Sequence, residues 1–175
     1  REIKMSYTPL ANVLKRNLRD LRKYIIRDYN EIEELQSSVK DSKIFIQKSQ
    51  NKIESEVINF LTKIKPNFRI IKDLEINTQD FWLINIIDSN LNFARANDNF
   101  GINISLFEKN LIITNLFYNP LKDEVFYYEK VTGAFKNETR IRVSNKKKKE
   151  ESLVSIYNYK DDSSLIYEGI IKKKF

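Results

Sequence analysis

The chain has 175 residues, 31 Lys and Arg against 24 Asp and Glu for a formal net charge of +7, and 41% hydrophobic with 12% aromatic content. That suits one folded domain with a substantial core rather than a disordered chain. It has no Cys and no His, which excludes disulfides, thiolate zinc sites, imidazole ligands and every nucleophile system that relies on histidine. Any metal must be a hard cation held by oxygen, such as Mg²⁺, and acid–base chemistry falls to carboxylates, Lys, Tyr or hydroxyls. The lack of Cys fits a cytoplasmic protein. No apolar run approaches the ~20 residues of a membrane span, and no signal peptide is visible in a sequence that opens on Arg1.

From about Leu10 to Tyr29, apolar residues at Leu10, Val13, Leu14, Leu18, Leu21, Ile25 and Ile26 follow the spacing of an amphipathic helix. Thr8 and Pro9 supply its N-cap and first turn. Two brief strands are expected at about 32–37 and 43–47, around Lys40-Asp41. A second helix is expected from about Ser49 to Lys63, with Ile53, Val57, Ile58, Leu61 and Ile64 on one face and Pro66 ending it. The pattern then turns to β, with strands at 69–72, 81–87, 100–108, 111–118, 124–129 and 139–143, rich in Ile, Phe, Tyr and Val. Glu108-Lys109-Asn110, Asn119-Pro120 and Gly133 punctuate them. Residues 100–118 read as a hairpin. The fold class is α+β: two N-terminal helices packed on a mostly antiparallel sheet. Residues 1–175 are expected to form a single domain, with a basic, divergent tail over 145–175. There Lys146 to Lys149, followed by Glu150-Glu151, is a solvated charge run, nucleic-acid contact being the alternative, and 152–159 reads as one more strand.

The stretch "FWLINIIDSNLNF", residues 81 to 93, leads seven positions, six of them apolar, into a single acid, Asp88, and a polar turn. A strand that ends in an acid and a turn is a common way to build a metal or phosphate site. Here asparagines flank the acid at Asn85, Asn90 and Asn92, and as turn residues Asn90 and Asn92 hold their own backbone.

The order of elements and the residues within the sheet resemble the inositol monophosphatase family, including its SuhB branch. "YNPLKDEVFYYEKVTGAFKNETRIRVS", Tyr118 to Ser144, is similar to the family's Tyr-Asp/Asn-Pro, acid-Glu-aromatic, Gly-Ala-Phe-x-Asn and Val-Ser succession. "NFGINISLF" (99–107) sits where the family has an aromatic followed by Val-Ser-Ile. "FWLINIIDSNLNF" sits on the family's Trp-x-Ile strand and Asp-Pro-Ile/Leu-Asp-Gly-Thr-Thr-Asn-Phe signature. The resemblance covers about residues 8–155, as the N-terminal domain of the sugar-phosphatase fold. It implies a Mg²⁺-dependent phosphomonoesterase of inositol or sugar phosphates, in which metal ions clamp the ester and activate water.

Carried over position by position, most of that site is lost. The first signature Asp falls on Asn85, while the second is kept as Asp88. The Gly-Thr that would present amides to phosphate falls on Ser89 and Asn90, and the following Thr on Leu91; Asn92 and Phe93 match. The family's Glu-Glu pair falls on Asp73 and Leu74, with Glu75 a distant substitute, and the Asp before the second helix on Gln50. The family's last ligand belongs to a C-terminal domain that the sequence is expected to lack. The residual metal-site positions are therefore Asp73, Asn85 and Asp88, with Asp88 and Asp73 the remaining carboxylates for weak Mg²⁺ binding. Ser89 and Asn90 are the residual phosphate-loop positions. A neutral amide at Asn85 does not match an anion that bridges two dications, and Asp73 is a methylene shorter than Glu.

The resemblance and these losses point to a non-catalytic binding or regulatory scaffold with an eroded metal site. Two alternatives stand beside it: a Mg²⁺-dependent phosphatase with a minimal site, and RNA or transcription-complex binding as in SuhB-type members. The expected partners are a second copy in a homodimer or another protein, with a transcription complex as the alternative and no membrane.

Overall fold

The computed structural model describes residues 8–35, 39–73, 80–87 and 90–145. By its internal contacts the chain divides into Arg1–Ile141 and Arg142–Phe175. The helices and sheet belong to the first unit, and of the second only 142–145 is described, as chain without regular structure.

Helix α1 (Pro9–Leu35) starts where the sequence places it. Thr8 caps it by accepting the Ala11 N–H on Oγ1 at 3.3 Å, and Pro9 loses nothing in the first turn, where its missing N–H has no intrahelical partner. Ala11, Leu14, Leu18, Leu21, Ile25 and Ile32 form its buried stripe. Helix α2 (Val39–Ile64) buries Ile46, Ile53, Val57, Phe60 and Leu61. One polar link lies between the two stripes: the Ser49 hydroxyl donates to Asp28 Oδ2 at 2.6 Å, while Arg27 donates to Asp28 Oδ1. Both Asp28 and Ser49 are buried.

The sheet runs β1 (Arg69–Ile71), β2 (Phe81–Ile86), β3 (Ile102–Glu108), β4 (Leu111–Asn119), β5 (Glu124–Glu129), β6 (Gly133–Lys136) and β7 (Thr139–Ile141), and its spatial order is its chain order. A short helix, α3 (Asn90–Ala94), lies between β2 and β3. Only β1 and β2 pair in parallel; every other neighbouring pair is antiparallel. Because side chains alternate along a strand, registered residues form rows. Trp82, Ile84 and Ile86 pair with Leu106, Ile104 and Ile102, and that row continues through Leu116, Tyr118, Val125, Tyr127 and Phe135. These residues join the helical stripes in one core, each large side chain contributing on the order of 1.5–3 kcal/mol. The opposite row begins Phe81, Leu83, Asn85 and meets Phe107, Ser105, Asn103. Phe81 stacks on Phe107 at 4.7 Å there, outside the helical core.

Two glycine and turn positions matter. Gly101 lets the backbone pass under the Phe117 ring and the Tyr118 carbonyl, where an added Cβ would lie 2.3 Å from Phe117 Cζ. The loop from β4 to β5 is clamped to α1: Arg22 donates to the Pro120 carbonyl at 2.8 Å, and Asp123 accepts both from Arg19 and from the buried Tyr118 hydroxyl, each at 3.0 Å.

The α+β class and the two helices stand as expected, and two local expectations are corrected. Residues 32–35 and 43–47 are not strands: the former end α1, and the latter lie inside α2. The β-branched and aromatic run Ile44-Phe45-Ile46 favours a strand by propensity, yet Ile46, Ser49, Ile53 and Val57 bury one helical face while Ile44 is exposed; tertiary packing overrides the local preference. Gly133 does not only punctuate, since it opens β6, with φ 94° fitting it to the turn. The expected strand at 152–159 lies outside the described residues.

Replacing Asp28 with Ala leaves the buried Ser49 hydroxyl without its acceptor. The expected loss is about 1–3 kcal/mol in urea unfolding, and adding Ser49→Ala should cost little more. Tyr118 gives a pH signature. Burial, and then its hydrogen bond to Asp123, hold its phenol above the ordinary value of 10.0. The folded chain keeps that proton where the unfolded chain releases it, so the contribution is complete below pH 10.0 and is lost as pH rises through the folded value. Urea midpoints measured from about pH 8 to about pH 11 should fall more steeply in the parent than in Tyr118→Phe.

Candidate metal and phosphate site

The parallel pairing of β1 with β2 aligns Arg69 with Phe81 and Ile71 with Leu83. Asp73 lies two residues beyond Ile71, in the bend that leaves β1, and Asn85 two residues beyond Leu83 in β2. Both are exposed. Asn85 falls on the row that faces away from the helical core, opposite Asn103. Asn115 extends this polar strip by donating to Asn103 Oδ1 at 2.7 Å and to Ser105 Oγ at 2.8 Å. An amide at position 85 therefore continues a row of neutral oxygens and amides.

At the end of β2 the chain bends sharply. Ile87 is buried and has φ 56°, a left-handed conformation that a β-branched residue adopts only when its surroundings hold it there, at a cost of order 1–3 kcal/mol. Asp88 and Ser89 come next and lie outside the described residues, as do Leu74, Glu75 and the side chain of Asn90. Asn92, in α3, is a turn amide: its Nδ2 donates to the Asn99 carbonyl at 2.5 Å, and its own carbonyl accepts from Arg95 and Asn97. Phe93 is fully buried between Tyr29, at 6.3 Å, and Phe100, at 4.9 Å, and the Tyr29 hydroxyl donates to the Ala96 carbonyl.

Gln50 lies in α2, one turn before Glu54. The Glu54 carboxylate meets Lys72 Nζ at 2.5 Å, which ties that turn of α2 to the end of β1 beside Asp73. Sequence reading missed this pair. No spacing in the sequence signals it, because its members lie on two different elements. The basic run Lys146 to Lys149 lies outside the described residues.

Mg²⁺ demands near-octahedral oxygen, with carboxylates offsetting its charge. Among the described residues no group of three or more acidic side chains gathers, Asn85 and Gln50 are neutral, and Glu54 is committed to Lys72. Among the described residues, no helix is long and apolar enough to cross a membrane.

The family model for the inositol monophosphatase family matches residues 8–174. The chain is 25% identical over 155 residues to an inositol-1-monophosphatase of Mesorhizobium japonicum, covering 86% of this chain and 58% of that protein. It is 26% identical over 144 residues to the Nus factor SuhB of Pasteurella multocida, covering 79% and 54%. Among solved structures, the extragenic suppressor protein SuhB of Bartonella henselae matches with TM-score 0.66 at 25% identity, over 79% of this chain and 56% of that one. The chain thus spans about half the length of the curated relatives it matches. Two helices on a meandering sheet, the parallel pair of β1 and β2, and a family match across most of the sequence agree: the chain belongs to the inositol monophosphatase family.

Proposed function

We propose that this chain is an inositol-monophosphatase-like binding or regulatory scaffold whose metal site has eroded beyond catalysis. The observation that carries the reading is the neutral Asn85 on the outward row of β2, opposite Asn103. Where the resemblance implies an acid that bridges two dications, the chain places an amide in a row of amides. Gln50 removes a further acid from the facing helix. Asp88 remains the second carboxylate of the set, with Ser89 and Asn90 as the residual phosphate-loop positions. Two carboxylates offset one Mg²⁺ weakly and leave nothing to activate water between two metals. Residues 1–175 act as one functional domain with a basic tail, in the cytoplasm.

A partner reading rests on a different observation. Several relatives carry the name Nus factor SuhB, beside others named inositol-1-monophosphatase, and the former support a transcription-complex partner. Association with a second copy is the alternative, through the sheet face that carries Phe81, Phe107, Phe117 and Phe126, where Phe117 and Phe126 lie 6.2 Å apart.

The chain is expected not to hydrolyse inositol monophosphate, sugar phosphates or an aryl phosphate above background in Mg²⁺. Turnover that depends on metal and disappears in Asp88→Asn overturns the proposal. Combining Asn85→Asp with Leu74→Glu restores first-shell charge, and calorimetry should then show Mg²⁺ affinity rising by at least tenfold, about 1.4 kcal/mol, with no turnover. Robust turnover in that double variant would mean that two substitutions are all that separates this site from catalysis.

A further inference from the structure

We propose that the groove between α1 and α2 binds a nucleoside monophosphate with an amino-bearing base, its phosphate held by Lys23, Arg27 and Lys52 and its base amine by Asp20 and Glu56. The groove lies in the helical layer, across the sheet from the row that carries Asn85, so the proposal does not depend on the metal-site reading. Its volume is about 680 Å³, within the ~300–1,000 Å³ of small-ligand sites. Leu21 and Ile53 line it and are buried, while Tyr24 stands 37% exposed.

Three cations converge on the Tyr24 ring: Lys52 Nζ lies 4.8 Å from its centroid, Lys23 Nζ 5.0 Å and the Arg27 guanidinium 5.9 Å. Arg27 is shared with the buried Asp28, which also accepts from Ser49. Among the described residues, neither lysine has a carboxylate within ion-pair distance. Like charges gathered in this way attract an anion. The acids stand at the other end. Contacts of Asp28 with Ser49 and of Tyr24 with Lys52 show that α1 and α2 run antiparallel. Asp20, one turn before Tyr24, and Glu56, one turn after Lys52, therefore share the end away from Asp28. Neither pairs with a cation among the described residues, and Arg19 beside them is taken by Asp123 at 3.0 Å. Glu31, the next acid after Asp28 in α1, does not line the groove. Lys23, Arg27 and Lys52 against Asp28 leave one end positive, while Asp20, Glu56 and Asp123 against Arg19 leave the other negative. An extended polyanion or an anionic membrane is repelled at the acid end, and inorganic phosphate leaves the acids without donors. The lining instead suits a phosphate at one end, a flat apolar body over Leu21 and Ile53, and a neutral donor at the other end. Lysine is a point charge on a flexible stem, and its contact with an exposed ring is weak beside a charge-assisted bond to phosphate. Tyr24 is thus a positioning residue that gathers the cations until the phosphate takes them.

The test is calorimetric titration of the full chain with adenosine 5′-monophosphate (AMP) in the presence of EDTA, which keeps divalent ions out of the measurement. The parent should bind AMP saturably, and Lys23→Gln combined with Lys52→Gln should bind it about tenfold more weakly. Both lysines are exposed, so neither change disturbs the core, and Lys52→Gln alone should show part of the loss. Inosine 5′-monophosphate carries a carbonyl where adenine carries its amine. It should bind the parent about fivefold more weakly than AMP, and Glu56→Gln should reduce that preference. An absence of saturable AMP binding, equal affinity in parent and double lysine variant, or equal binding of the two nucleotides overturns the proposal. Inorganic phosphate or glucose 6-phosphate binding as tightly as AMP overturns it as well, since neither carries a base.

Discussion

The alternation of side chains along β2 ties the core and the candidate site to a single register. Trp82, Ile84 and Ile86 point to the helices because they pair with Leu106, Ile104 and Ile102, and that pairing sends Leu83 and Asn85 to the other side. A slip of one residue would bury Asn85 among isoleucines and expose Trp82, so the hydrophobic content of β2 fixes the position of Asn85 as firmly as any direct contact. The parallel β1 edge joins the same register through Arg69, Ile70 and Ile71. The strained turn at Ile87 persists because the side chain at its centre is buried with the core. The sheet can thus keep the site's geometry while the residues that give the site its chemistry change.

Core residues and exposed residues of this sheet thus answer to different constraints. Core residues answer to packing, and a lost methylene there is felt directly. The exposed amide at Asn85 pairs with Asn103 in the ladder and lies beside the polar strip of Asn115 and Ser105. Polar contacts also fasten the helices. Thr8 and Tyr127 share a hydrogen bond across the start of α1, Arg19 and Arg22 hold the β4–β5 loop, and Asp28 with Ser49 links α1 to α2.

Much of this fold was legible in the sequence, because long amphipathic patterns bury one face wherever they occur. The stripe from Leu10 to Ile26 and the alternations of 81–87, 100–108 and 111–118 were such patterns. The errors fell where local preference and tertiary packing disagree. Ile44-Phe45-Ile46 carries a strand-like composition inside a helix, and Gly133 looks like a break where it begins a four-residue strand. In the candidate site, Asp73 and Asn85 came from resemblance. The Glu54–Lys72 pair was hidden because its members lie 18 residues apart on elements whose packing no spacing rule specifies. Nothing in "NKIESEV" alone shows that Glu54 would face the end of β1.

The identity of spatial and chain order across β1 to β7 has a consequence for how the protein forms. Each strand from β3 onward completes its pairing with the strand made just before it, so the sheet closes only short loops and avoids the entropy of distant pairing. On a ribosome, β2 and β3 can zip together while β5 is still being made, and each hairpin adds to an edge that already exists. The helices are synthesised first and remain amphipathic without a surface until Ile84, Ile104 and Leu116 arrive to cover them. The interval between the emergence of α1 and that of β4 is thus the period in which the nascent chain exposes its largest apolar surface, and the one in which a chaperone has most to hold.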